Sequence, residues 1–172
     1  IGIVVNNPEF ADIKSLEGVA DTKNKAVPTF ALPTTAGTAA EVTINYVIID
    51  EEAKKKMVCV DPNDIPAVAI VDPELMTSVP SHLTAYQGFD AFFHAAEGYI
   101  ANIATPISEL YSLKSIGLLY KSLPKAVANG NDIEARTDVA LASTLSGMVE
   151  ATSRCTSEHS LEHAISAFYP AL

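Results

Sequence analysis

Residues 89–99 read FDAFFHAAEGY. Asp90 and His94 stand four apart in a run that is otherwise small, apolar or aromatic. Such a run belongs in an interior, and an unpaired carboxylate buried there is costly by several kcal/mol. Helical spacing suggests what offsets that cost. Residues four apart share one face of an α-helix, separated by roughly 40° around its axis, so Asp90 and His94 point the same way. A divalent cation between them would neutralise the aspartate. A carboxylate near a helix start beside a hydrogen-bonded core histidine has the same spacing, and spacing alone does not separate the two.

The pattern recurs in HSLEH, where His159 and His163 are also four apart. Two such pairs in a chain with four histidines point toward a metal. Aspartate oxygen and imidazole nitrogen suit Fe²⁺, Zn²⁺, Mn²⁺ or Ni²⁺. HSLEH also fits the H-x-x-E-H pattern of a zinc hydrolase, with Glu162 as general base. That reading gives no role to Asp90 and His94. A third reading is a non-catalytic helical fragment that only packs or dimerises.

Outward from this stretch, the chain changes texture near Pro80. Residues 81–102 have helical spacing with Ser81 as N-cap. Residues 105–129 form a second helical segment, with Thr105 as cap and Pro106 at the first helical position. Pro124 should kink or divide it. Residues 132–155 and 157–169 are a third and a fourth. Before Pro80 the pattern is mixed. Residues 26–35 (AVPTFALPTT) read as a buried strand leading into a loop, and 36–41 as a small-residue loop. VTINYVIID and MVCVD, joined by the charged stretch 50–56, read as a β-hairpin. Residues 66–75 read as a second buried strand ended by Asp72-Pro73. The expected fold is an α/β part over 1–80, a remnant of a nucleotide-binding domain with a β-hairpin, then an all-α metal-binding part over 81–172.

The bulk numbers narrow the partners. Of 172 residues 48% are hydrophobic, enough for a real core, and the formal charge is −10. That excess of acid argues against nucleic acid and against anionic membrane surfaces. No apolar run is long enough to span a bilayer. Cys59 and Cys155 belong to no C-x-x-C pair, so two reduced, buried thiols in a cytoplasmic protein are expected. The chain opens on IGIVV without a methionine and stops at SAFYPAL; it is expected to be an internal fragment of something longer.

Together these stretches resemble the iron-dependent (group III) alcohol dehydrogenases over nearly the whole chain. LPTTAGTAAEVTINYVIIDEEAKKKMVCVDPNDIPAVAIVDPELMTSVP is similar to that family's segment from its threonine-rich cofactor loop to its Val-Asp-Pro strand. GFDAFFHAAEGYI resembles its G-x-D-A-x-x-H-A-x-E-x-[YF] helix, and EHSLEHAISAFYPAL its H-x-x-x-H-x-x-x-A/G-x-x-Y run. The subgroup most resembled is that of the lactaldehyde (1,2-propanediol) reductases. The resemblance implies that Asp90, His94 and His159 are three of four metal ligands. It makes His163 a proton relay or substrate-orienting residue. Thr34, Thr35 and Thr38 would lie along the dinucleotide, with Asn45, Lys56 and Leu75 on its nicotinamide side. The implied metal is Fe²⁺, with Zn²⁺ equally suited by the ligand types, and the implied cofactor NAD or NADP. The implied substrate is a small alcohol, diol or aldehyde, and the implied full-length protein a homo-oligomer, a dimer. The family's Gly-Gly-Gly-Ser turn would lie before Ile1 and its fourth ligand, the histidine of Pro-His-Gly, just past Leu172. The chain departs from the pattern at Ser157 and Glu158, where glycines are frequent, and at Glu162, where a small residue is frequent.

Overall fold

A computed structural model describes residues 2–169. The first part holds one short helix, α1 (Gly2–Asn6), and five strands: β1 (Gly18–Val19), β2 (Phe30–Ala31), β3 (Asn45–Asp50), β4 (Lys55–Val60) and β5 (Val68–Ala69). Four long or medium helices follow: α2 (Ser81–Ile100), α3 (Pro106–Ala128), α4 (Ile133–Ser153) and α5 (Ser157–Ser166).

The β-hairpin forms where the apolar alternation places it. Strands β3 and β4 pair antiparallel from Asn45↔Val60 to Asp50↔Lys55. The Asp50 carboxylate accepts the Glu52 and Ala53 N–H groups and closes the turn, an Asx-type arrangement that also explains the charged connection. Strand β1 adds to β4 in parallel. Ile3, Leu16 and Cys59 form a small core on this sheet, with Tyr46 and Ile48 against it.

The two expected buried strands are corrected. Residues 26–35 and 66–75 contribute only β2 and β5, two residues each, which pair with each other alone. Phe30, Leu32, Val68 and Ile70 are exposed. Apolar runs fixed the extended backbone there, but a two-stranded pair offers no second layer to bury it.

The helical part is knit by small residues. Ala91, Leu118, Leu119, Ala126, Ala135, Val139 and Ala142 form its core between α2, α3 and α4. Buried serines fill the rest, and Ser115 donates across to the Ala142 carbonyl. Arg136 on α4 is buried and donates to Thr84 Oγ1 and to the Val79 and Gly130 carbonyls, so its guanidinium ties the entrance of α2 to α4. Thr105 caps α3 in a capping box with Ser108, ahead of Pro106, as the sequence implies. Two expectations fail. Ser81 is the first residue of α2, preceded by Pro80 with no side-chain cap. Pro124 does not divide α3, which runs unbroken to Ala128. Pro124 and Tyr120, whose carbonyl loses its helical partner, lie on the exposed face, where water can take that carbonyl. Ser122 and Ala126 stay buried on the other face and hold the helix together. Both cysteines are free; Cys59 is buried, but Cys155 only half-buried. Among the described residues no helix is long and apolar enough to cross a membrane.

Candidate metal and cofactor site

Asp90, His94 and Glu97 occupy one face of α2, at i, i+4 and i+7. That face meets the start of α5. Helix α4 ends at Arg154, whose φ of 68° turns the chain sharply. A non-glycine residue pays for such a conformation, and the turn it makes delivers Cys155, Thr156 and α5 back onto α2. The result brings His159 to the two residues that the FDAFFHAAEGY stretch singled out.

Asp90 lies between the two imidazoles. His159 Nε2 stands 3.3 Å from Asp90 Oδ1, and His94 Nε2 stands 3.8 Å from the same oxygen. The two rings stack at 4.4 Å between centroids. Adjacent donors around a divalent ion bound at about 2.1 Å stand about 3–3.6 Å apart; the Asp90–His159 pair lies in that range and the Asp90–His94 pair just beyond it. Glu150 of α4 joins them, its Oε2 3.4 Å from His94 Nε2. Cys155 offers a sulfur; its ligand atom and those of His94 and His159 lie within 4.8 Å of one another. Asp90, Glu97 and Glu150 have no Lys or Arg partner among the described residues. Three carboxylates around two imidazoles make a site that favours a cation. The donor set, one carboxylate oxygen with two imidazoles and room for more, fits Fe²⁺ or Zn²⁺.

Glu97 lies behind His159, buried with it. Burial alone would raise its pKa. The Thr156 and Glu158 N–H groups, the Thr156 hydroxyl and the His159 ring all bond its carboxylate and instead lower it to about 2. For His159 burial again works against the charged form, yet its bonds to Asp90, Cys155 and Glu97 raise its pKa to about 11.

His163 lies one turn further along α5, its ring 6.5 Å from that of His159. Its side chain is a quarter exposed, and burial, with Lys56 and His159 nearby, keeps its pKa below the usual value. It lines an open groove with Lys54, Lys56 and Phe168, between the hairpin and α5. Glu162, the general base of the hydrolase reading, is ion-paired to Lys56 at 2.9 Å.

The expected cofactor residues divide into two groups. Asn45 and Lys56 reach the cluster helices: Asn45 Nδ2 donates to Glu150 Oε1 at 2.8 Å, and Lys56 bonds Glu162. Thr34, Thr35 and Thr38 are exposed on a bend, and Leu75 is exposed on the 3₁₀ turn Pro73–Met76. None of these four hydrogen-bonds the cluster. Their loop is nonetheless fixed. Gly37 lies so close to α2 that a Cβ there would meet Gln87 Cβ at 2.8 Å and its backbone at 3.0 Å. Ser143 of α4 donates to the Gly37 carbonyl, and Thr144 to Glu41. Sequence reasoning missed Glu97, Glu150 and Cys155. Glu97 carried a signal, a second carboxylate on the face of Asp90 and His94; Glu150 carried none, because its partners come from β3 and α2.

Comparison with known proteins places both parts of the chain. Residues 84–171 match the model of the Fe-containing alcohol dehydrogenase family, C-terminal, and residues 1–73 that of iron-containing alcohol dehydrogenase. Lactaldehyde reductase of Escherichia coli (strain K12) is 47% identical over 98% of this chain and 44% of its own length. Among solved structures, alcohol dehydrogenase from Oenococcus oeni superposes with a TM-score of 0.93 at 38% identity, over 99% of this chain and 44% of its own. Sulfoacetaldehyde reductase from Bifidobacterium kashiwanohense, solved in complex with NAD+, superposes with a TM-score of 0.83 at 36% identity, over 91% and 42%. The chain spans less than half the length of these relatives. With both parts matched in order, the chain belongs to the iron-containing alcohol dehydrogenase family.

Proposed function

We propose that this chain supplies the metal-binding face and part of the cofactor cleft of an oxidoreductase. It interconverts a small primary alcohol or diol and its aldehyde, with NAD or NADP as hydride partner. The observation that carries the proposal is the convergence of Asp90, His94 and His159 from two helices, with Asp90 Oδ1 3.3 Å from His159 Nε2 and 3.8 Å from His94 Nε2. The chain divides in function near Pro80, with residues 1–80 serving the dinucleotide and 81–172 the metal.

Asp90, His94 and His159 would hold Fe²⁺, or Zn²⁺, for which the donors are equally suited. When bound, the metal supplies Lewis acidity toward the substrate oxygen and the nicotinamide supplies hydride chemistry. The chain's own residues do the rest. The Thr34–Thr38 loop, clamped onto α2 and α4 through Gly37, presents hydroxyls along the edge of the cleft. Asn45 and Lys56 extend the hairpin to the same cleft, and Leu75 gives it an apolar wall. The Lys54–Lys56 side of the groove favours the anionic dinucleotide. His163, partly exposed and held near neutral, takes up or hands on a proton between the cleft and solvent. The NAD+ bound by the Bifidobacterium relative supports a nicotinamide cofactor. The enzyme works as a cytoplasmic homo-oligomer, a dimer, without nucleic-acid or membrane partners. Glu162 is ion-paired to Lys56, which makes it a weaker base than the hydrolase reading needs.

Anaerobic Fe²⁺ titration tests the assignment. The wild-type chain binds one Fe²⁺ and Asp90→Ala loses it. Equal uptake by the two would remove the ligand set. In the full-length enzyme, NADH oxidation with a short aldehyde should vanish with the same substitution.

A further inference from the structure

Glu97 is the most heavily bonded carboxylate in the cluster and stands outside the ligand set. Its side chain is 5% exposed. Oε2 accepts from the Thr156 N–H at 3.0 Å and lies 2.7 Å from His159 Nδ1. Oε1 accepts from the Thr156 hydroxyl at 2.9 Å and from the Glu158 N–H. Thr156 is the N-cap of α5 but gives it no side-chain cap. Glu97, from another helix, satisfies those orphan N–H groups instead.

The arrangement decides which nitrogen of His159 can be given over to a metal. Backbone N–H groups occupy both oxygens of Glu97, so it meets the ring as an acceptor. Nδ1 must then carry a proton in every state of the ring, and Nε2, which bonds Asp90 Oδ1 at 3.3 Å, is the nitrogen whose proton a metal would displace. Glu158 Oε2 also stands 3.1 Å from Nδ1, but it is far more exposed and free to leave. A carboxylate behind a metal-ligating imidazole fixes its tautomer and orientation and strengthens it as a donor.

We propose that Glu97 is the positioning residue of the metal site. One carboxylate caps α5 and, through Nδ1–H, holds His159 so that Nε2 faces Asp90 and His94. This rests on the metal reading above. It adds that the site depends on a buried acid that touches neither metal nor substrate.

Two measurements on the full-length protein test it, with Zn²⁺ as a diamagnetic probe. In the first, metal-free protein is titrated with Zn²⁺. Glu97→Gln should weaken binding about 10- to 100-fold. Thr156→Val, which removes one cap bond and leaves the His159 bond, should change it less than about threefold on the same reasoning. In the second, ¹⁵N spectra of the Zn²⁺-loaded wild type should show His159 protonated at Nδ1 and metal-bound at Nε2. An affinity for Glu97→Gln within a factor of two of wild type overturns the proposal, and so does an equal loss in Thr156→Val, which would make Glu97 only a cap. A proton at Nε2 overturns it without any variant, should Glu97→Gln fail to fold. The titration of Asp90→Ala separates the two claims. If it binds like wild type, the metal assignment falls. If it is weak while Glu97→Gln is not, only the role of Glu97 falls.

Discussion

Gly37 sets how near the threonine loop lies to α2. A methyl group there would sit 2.8 Å from Gln87 Cβ and 3.0 Å from Gln87 Cα and its carbonyl oxygen. Backbone cannot yield as a side-chain tip can, so the loop must lift. Gly37→Ala should cost about 1–3 kcal/mol, the range for overpacking, read as a lowered urea midpoint. In the full-length enzyme it should raise the KM for the nicotinamide cofactor more than it lowers kcat, because Thr34, Thr35 and Thr38 ride on that loop. An unchanged midpoint and KM would mean that the loop has slack. At this scale the sequence spoke unevenly. Asp90 and His94 were singled out because a charge in an apolar helix demands a reason, and one helical turn supplies its neighbour; the structure corrects the premise, since His94 is buried but the Asp90 side chain is 33% exposed. His159 became their partner only through the turn at Arg154. Glu97 was visible on the same face, but its four donors arrive from a helix sixty residues away. Glu150 reaches Asn45 and His94 across the fold, and nothing near it in the chain announces that.

The elements were read best where local chemistry closes them. Thr105 with Pro106 opens α3, and Asp132 caps α4 by accepting from the Ala135 N–H. The hairpin carries both its alternation and its Asx turn. Strands β2 and β5 were misjudged because apolar residues mark an extended segment but do not say what will cover it. Contacts between elements carry a prediction of their own. Asp138 of α4 accepts from Ser122 at 2.6 Å and from Lys121 at 3.0 Å, both on α3. The bond from Ser122, then that from Lys121, lowers its pKa below the ordinary 3.8. A carboxyl with a depressed folded pKa stabilises above its unfolded value, and that stability is lost as pH falls through the folded one. Asp138→Asn should therefore cost about 1 kcal/mol at pH 7. The deficit should hold down to about pH 5 and shrink below the unfolded pKa. Urea midpoints of both proteins across that range decide it; a deficit independent of pH would mean that packing, not charge, is what the substitution disturbs.

On the scale of the whole molecule, side-chain hydrogen bonds join the hairpin to the helices that carry the cluster: Asn45 to Glu150, and Lys56 to Glu162. The second is a partly exposed pair, with Lys56 at 19% and Glu162 at 43%. Such pairs contribute about 1 kcal/mol or less to stability, so its removal should barely move the unfolding midpoint. Its value lies in placement, since it fixes the Lys56 ammonium beside the groove that His163 lines. Glu162→Gln keeps the shape and removes the charge. In the full-length enzyme it should raise the KM for NADH several-fold, leave Fe²⁺ uptake unchanged and change kcat little, since Glu162 touches none of Asp90, His94 and His159. A hydrolase built on the same HSLEH sequence makes the opposite demand, because there Glu162 moves the proton. Loss of kcat with an unaltered KM would transfer Glu162 from the hairpin latch to the chemistry. A KM effect with intact kcat and metal binding keeps it where the structure shows it, paired to Lys56 between the hairpin and α5.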